Sequence, residues 1–136
     1  GFASRHTRQK WTPDVRPFYA AIDILAMPSV ESETFGRVSI EAQASGVPVL
    51  CSDIGGIPET LSPGVTGLLL RPGDIPVWRD AILSLCGDEK LRSGLVEHGR
   101  HWVEQHFSAP VIGRQFESLL QSDSKKSSLN SEKVNS

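Results

Sequence analysis

Three short apolar runs constrain this chain most. They are Asp23-Ile24-Leu25-Ala26-Met27, Val47-Pro48-Val49-Leu50-Cys51 and Thr66-Gly67-Leu68-Leu69-Leu70. Each is closed by a turn signal, and each is followed by residues at helical spacing. Short apolar strands without polar alternation are buried on both faces, and strands alternating with helices pair in parallel. The pattern predicts an α/β fold: a Rossmann-like parallel sheet fragment of about three strands with flanking helices.

The helices are legible from their punctuation. Asp14 caps Val15 to Ala21, and Gly36 to Ser45 ends at Gly46. Pro58 to Leu61 is a single turn. Asp74 caps a helix to about Cys86, with Trp78, Ile82 and Leu85 predicted on one packed face. Asp88 to about His106 is the next helix, with Gly94 and Gly99 as the points where it would break. Ser108 opens a last helix to about Gln121, with Ile112, Phe116, Leu119 and Leu120 as its apolar stripe. Residues Gly1 to Pro13 read as a surface loop. The first residue is Gly1 rather than Met, and further strands are expected before it, because three parallel strands leave edges to cover.

Composition narrows the function classes. Residues 1–121 are expected to form a partial domain. Ser122 to Ser136 holds only Leu129 and Val134 as large apolar residues, so a disordered polar tail is expected there. The formal charge of −2 is spread in mixed signs, which argues against a nucleic-acid surface. No apolar stretch approaches the ~20 residues that span a bilayer. Cys51 and Cys86 lack metal-ligand spacing and are expected as buried, reduced thiols of a cytoplasmic protein. His6, His98, His101 and His106 share no ligand spacing, so surface histidines and no metal site are expected. Trp78 and Trp102 are expected in the core.

The chemistry concentrates in the loop after the first strand. Pro28-Ser29-Val30-Glu31-Ser32-Glu33-Thr34-Phe35 runs straight into the helix that starts near Gly36. Ligands of open α/β sheets sit beyond the carboxyl ends of the strands. Unpaired N–H groups at a helix start are a seat for a diphosphate, and Gly36 lets a ligand approach the backbone. Glu33 lies just before the helix mouth and Glu41 inside it. Eight helical residues would rise about 12 Å, whereas a glycosidase carboxylate pair needs about 5 to 9.5 Å. The spacing suits two carboxylates gripping hydroxyls at opposite ends of one long ligand.

Glu33-Thr-Phe-Gly-Arg-Val-Ser-Ile-Glu41, set between Asp23-Ile24-Leu25-Ala26-Met27-Pro28-Ser29 and Glu41-Ala42-Gln43-Ala44-Ser45-Gly46-Val47-Pro48-Val49, resembles the two-glutamate signature of retaining glycosyltransferases. Gly55-Gly56-Ile57-Pro58-Glu59 and Gly64-Val65-Thr66-Gly67-Leu68-Leu69 continue the likeness. In order and spacing the set is similar to the C-terminal, donor-binding domain half of two-domain GT-B enzymes of the group 1 or family 4 type, over roughly Val15 to Gln121.

The resemblance implies roles. Glu33 would bind donor-sugar hydroxyls at the catalytic centre. Phe35 and Gly36 would offer backbone N–H groups to the sugar, and Arg37 and Val38 theirs to the diphosphate. Glu41 would hold the ribose hydroxyls. The implied substrate is a UDP-, GDP- or ADP-sugar, with no resident metal or cofactor and transfer with retention. The family's acceptor domain and the basic pair that clamps the diphosphate have no counterpart in this stretch, and Arg5, Arg8 and Lys10 do not replace that pair. The chain is therefore expected to be too incomplete for turnover alone. The implied partner is an N-terminal acceptor domain in cis or trans, with peripheral membrane association through the acceptor as one option. The alternatives are an inactive, binding-only remnant or one subunit of a split enzyme. Related sugar-nucleotide epimerases share the architecture, but the glutamate pair fits transferases better.

Overall fold

The computed structural model describes residues 6–115 and 117–118. The expected tail, and Phe116, Leu119 and Leu120 of the last predicted stripe, lie outside the described residues. Helices α1 (Arg16–Ala20), α2 (Arg37–Ser45), α3 (Ile75–Gly87) and α4 (Glu89–Phe107) alternate with strands β1 (Leu25–Met27), β2 (Val49–Ser52) and β3 (Leu68–Leu70). A 3₁₀ turn covers Ile57–Thr60, and 109–115 is helical again.

The strands form one parallel sheet in the order β1-β2-β3. Leu25 pairs with Val49 and Leu50 with Leu68. Every residue of the central strand β2 is buried, as a doubly covered sheet requires. Alternation along the strands assigns the two faces. Leu25, Met27, Val49 and Cys51 join Tyr19, Ala42 and Ile57 in one core. Leu50 joins Trp78, Leu85 and Leu95 in the other, flanked by Leu68 and Leu70.

The strands are shorter than their apolar runs. Leu25 N–H donates to the Pro48 carbonyl at 3.0 Å, but Pro48 has no N–H to return, so β2 opens at Val49. Thr66, expected in β3, instead closes the preceding turn: its buried hydroxyl accepts from Ser62 N–H at 2.8 Å.

Three helix ends follow their expected chemistry, but Asp14 does not cap α1: the N-cap there is Val15, and the Asp14 carboxylate accepts from the Arg16 backbone N–H at 3.1 Å. Gly46 sits at φ +79° and its N–H reaches the Ala42 and Gln43 carbonyls, terminating α2. Asp74 accepts from Val77 N–H and Asp88 from Leu91 N–H, capping α3 and α4. Helix α4 is unbroken at Gly94 and Gly99. Gly99 is buried where α4 crosses α2; a Cβ there would meet the Thr66 carbonyl oxygen at 3.3 Å and Gln43 Cγ at 3.4 Å. That glycine permits close helix approach. Helix α4 runs antiparallel to α2: Arg100 donates to the Ser45 carbonyl at the C-terminal end of α2, and Phe107 meets Phe35 beside its N-terminal end.

Two expectations fail for packing reasons. Ile82 is 37% exposed, because the packed stripe of α3 is Trp78, Ala81 and Leu85. Cys86 is exposed and only Cys51 is buried, since Cys86 lies one residue past Leu85, off that stripe.

Candidate functional site

The site is built on the amino end of α2. Its N-cap is Gly36, which supplies no side-chain hydrogen bond, and the first turn holds no acidic residue. Within that turn Arg37 N–H donates to the Phe35 carbonyl at 2.8 Å, and Ser39 N–H to the Gly36 carbonyl at 2.9 Å. The tight turn at Phe35-Gly36 thus engages the Arg37 N–H. Val38 N–H has no partner among the described residues. Gly36 is buried, and a Cβ there would meet Ile57 Cγ1 at 3.4 Å and Thr60 Cγ2 at 3.6 Å. Its bare side faces the 3₁₀ turn.

That turn is tied to α2 by a buried polar cluster that sequence reasoning missed. Gln43 Nε2 donates to the Thr60 carbonyl at 3.0 Å and to Ser39 Oγ at 3.1 Å. Thr60 Oγ1 donates to the Ile57 carbonyl at 2.7 Å and lies 3.1 Å from Ser39 Oγ. These bonds tie the turn to α2, although the buried Gln43 Oε1 has no partner among the described residues. Gly55, at φ +59°, and Gly56 then press against the Glu33–Thr34 backbone. Gly56 N–H donates to the Glu33 carbonyl at 2.9 Å, and Cβ atoms at either glycine would fall within 2.4 Å of a loop carbonyl oxygen.

The Glu33 carboxylate accepts from the Ser29 hydroxyl across its own loop. Its charge reaches the end of β2. Burial pushes the Cys51 thiol up to about 11; a hydrogen bond with Ser39 opposes this and Glu33 adds to it. The Glu41 carboxylate is held on both oxygens. Tyr19 Oη donates to Oε2 at 3.0 Å, and the Arg37 guanidinium lies 3.4 Å from Oε1. Burial, then the hydrogen bond to Glu41, pushes the Tyr19 phenol up to about 12.

Phe35, Arg37 and Glu41 line one cavity of about 600 Å³ together with Glu59, Trp102 and His106. Glu33 lines a separate depression with Pro28 and Ser29. In sequence Thr34–Gly36 joins the two sets of lining residues, and its Phe35 belongs to the larger cavity. Phe35 is 43% exposed and packs edge-on against Phe107 at 6.0 Å. Trp102, expected in the core, is only partly buried and stacks on His106 at 3.8 Å. Their spacing of four on one helix was the available signal. Among the described residues no group of three His, Cys, Asp or Glu is placed to hold a metal ion. No helix there is long and apolar enough to cross a membrane.

This parallel α/β layering, with a glutamate-flanked helix start at the carboxyl end of the sheet, is that of a GT-B glycosyltransferase fragment. Residues 1–88 match the family of group 1 glycosyl transferases, and the chain belongs to that family. A D-inositol 3-phosphate glycosyltransferase of Nocardia farcinica is 51% identical over 75 residues, covering 54% of this chain and 16% of the relative. The capsular polysaccharide biosynthesis glycosyltransferase CapM of Staphylococcus aureus is 36% identical over 110 residues, covering 81% of this chain and 29% of CapM. Among solved structures, HepE of Anabaena in complex with UDP superposes with a TM-score of 0.73 at 30% identity, over 77% of this chain and 29% of HepE. A sucrose-phosphate synthase of Thermosynechococcus elongatus superposes with a TM-score of 0.72 at 34% identity, over 79% of this chain and 27% of the synthase. The chain thus spans less than a third of the length of each.

Proposed function

We propose that this chain carries the donor-binding part of a retaining glycosyltransferase that moves a sugar from a nucleotide sugar to an acceptor. The observation that carries the reading is the amino end of α2. It has no side-chain cap, Val38 N–H has no partner among the described residues, and Glu33 and Glu41 flank it. Partial positive charge there favours a diphosphate. Family membership supports the reading, as do structures of HepE holding UDP and UDP-glucose.

In this reading the donor lies across the Thr34–Gly36 segment. Glu41 accepts from the ribose hydroxyls and Glu33 from the sugar. Phe35 and Gly36 offer backbone N–H groups to the sugar, and Arg37 and Val38 theirs to the diphosphate. As the sugar–phosphate bond breaks, negative charge grows on the leaving oxygen. Oriented N–H groups that meet charge developing in the transition state lower the barrier. The helix start and basic side chains do this without a resident metal.

Calorimetric titration of the chain with UDP-glucose, GDP-mannose and ADP-glucose tests the proposal. One of the three is expected to bind below about 1 mM, with Glu41→Ala weakening it at least ~10-fold. No binding of any at millimolar ligand would show a remnant that no longer holds a donor.

A further inference from the structure

Tyr19 and Glu41 are far apart in sequence, yet their side chains form the hydrogen bond that links α1 to α2. The Tyr19 ring is 4% exposed and packs edge-on against Phe18 at 5.3 Å, so its orientation is set by the core. Its hydroxyl lies 3.0 Å from Glu41 Oε2 and 3.5 Å from the Val38 carbonyl. By distance the carboxylate is its real partner. Among the described residues the other Glu41 oxygen meets only Arg37, at 3.4 Å and through a largely exposed guanidinium, a pairing that fixes little. Of the two contacts, the phenol alone is anchored in the core.

We propose that Tyr19 is a positioning residue for nucleotide binding, holding the Glu41 carboxylate in the orientation that accepts the ribose hydroxyls. The proposal rests on the ribose reading of Glu41 given above. An unanchored glutamate has several rotamers to lose when a ligand arrives; an anchored one has lost them already. With its pKa pushed up to about 12, the phenol stays a donor through the neutral range. A carboxylate has about four acceptor positions. The phenol occupies one, which leaves room for two hydroxyls of a diol.

The test compares UDP, GDP and ADP with their 2′,3′-dideoxy counterparts on the wild-type chain, Tyr19→Phe and Glu41→Ala. Phenylalanine keeps the ring in the core and removes only the hydroxyl. For the base that binds, the wild type is expected to prefer the ribo form by at least ~10-fold, and Glu41→Ala to abolish the preference. Tyr19→Phe is expected to cut it about threefold to tenfold, the scale of one typical lost hydrogen bond, with dideoxy affinity unchanged. If Glu41→Ala abolishes the preference but Tyr19→Phe keeps it, Tyr19 has no such role and the ribose reading survives. Equal weakening of both forms by Tyr19→Phe, with a lowered melting temperature, marks a purely structural tyrosine and overturns the proposal. If the wild type binds no nucleotide or shows no ribo preference, both readings fall together.

Discussion

Replacing Gly56 by alanine separates a packing effect from a backbone-conformation effect. Gly56 has φ −85° and ψ −1°, which any residue adopts, so alanine carries no penalty of its own there. A Cβ would lie 2.2 Å from the Thr34 carbonyl oxygen, 3.0 Å from its carbon and 3.4 Å from Phe35 Cα. Carbon and oxygen need roughly 3.3 Å, so the loop carrying Glu33 must retreat by about 1 Å. Overpacking of that size costs about 1–3 kcal/mol. The Gly56 N–H to Glu33 carbonyl bond, 2.9 Å long, stretches as the loop moves, at a cost of about 1 kcal/mol. Together these reach ~2–4 kcal/mol, a large share of the 5–15 kcal/mol typical of a domain. Urea and thermal unfolding should show a melting temperature lower by about 10 °C or more. Titration of the variant with a nucleotide sugar should show weaker binding, because the retreating loop carries Glu33, which the proposed function sets on the donor sugar. Stability within ~0.5 kcal/mol of wild type, with unchanged binding, would refute the claim that the glycine pair props the donor loop.

Gly94→Ala is the matched contrast: nothing lies within 4 Å of a Cβ there and the residue is inside α4, so thermal melts should show stabilisation of up to ~1 kcal/mol. Asp88→Ala removes the cap on Leu91 N–H and should cost about 1 kcal/mol in urea unfolding. Stability should also fall in alkali. The folded values of Cys51 and Tyr19, about 11 and about 12, exceed their ordinary values of 9.0 and 10.0. The unfolded chain therefore releases these protons first, and stability declines from about pH 9 up to about pH 12. Unfolding of Tyr19→Phe across this range should lack the part above pH 10, and an unaltered profile would contradict the burial assigned to that phenol.

The strand and helix order was legible because each strand is a pure apolar run and most helices carry their own stop or cap, such as Gly46, Asp74 and Asp88. Strand ends were not, because Pro48 and Thr66 make hydrogen bonds that pattern alone does not reveal. Ile82 and Cys86 were misplaced for one reason: a helix face seen in sequence is a stripe of uncertain phase, and the sheet selected Trp78, Ala81 and Leu85. At the site, Glu33, Phe35, Gly36 and Glu41 could be singled out because they share one loop and one helix. Tyr19, Thr60 and the press of Gly55-Gly56 on the donor loop could not, since each contact joins segments far apart in the chain. The division of Glu33 and Glu41 between two depressions was likewise invisible, because which residues share a depression is a tertiary fact.

A crystal structure of the chain soaked with the nucleotide sugar that binds it would locate the leaving group directly. A phosphate oxygen about 2.7–3.2 Å from Val38 nitrogen, with one carboxylate on the ribose and the other on the hexose, is the expected picture. Density for the phosphates away from the first turn of α2, or a ligand touching only one of the two acids, would contradict it.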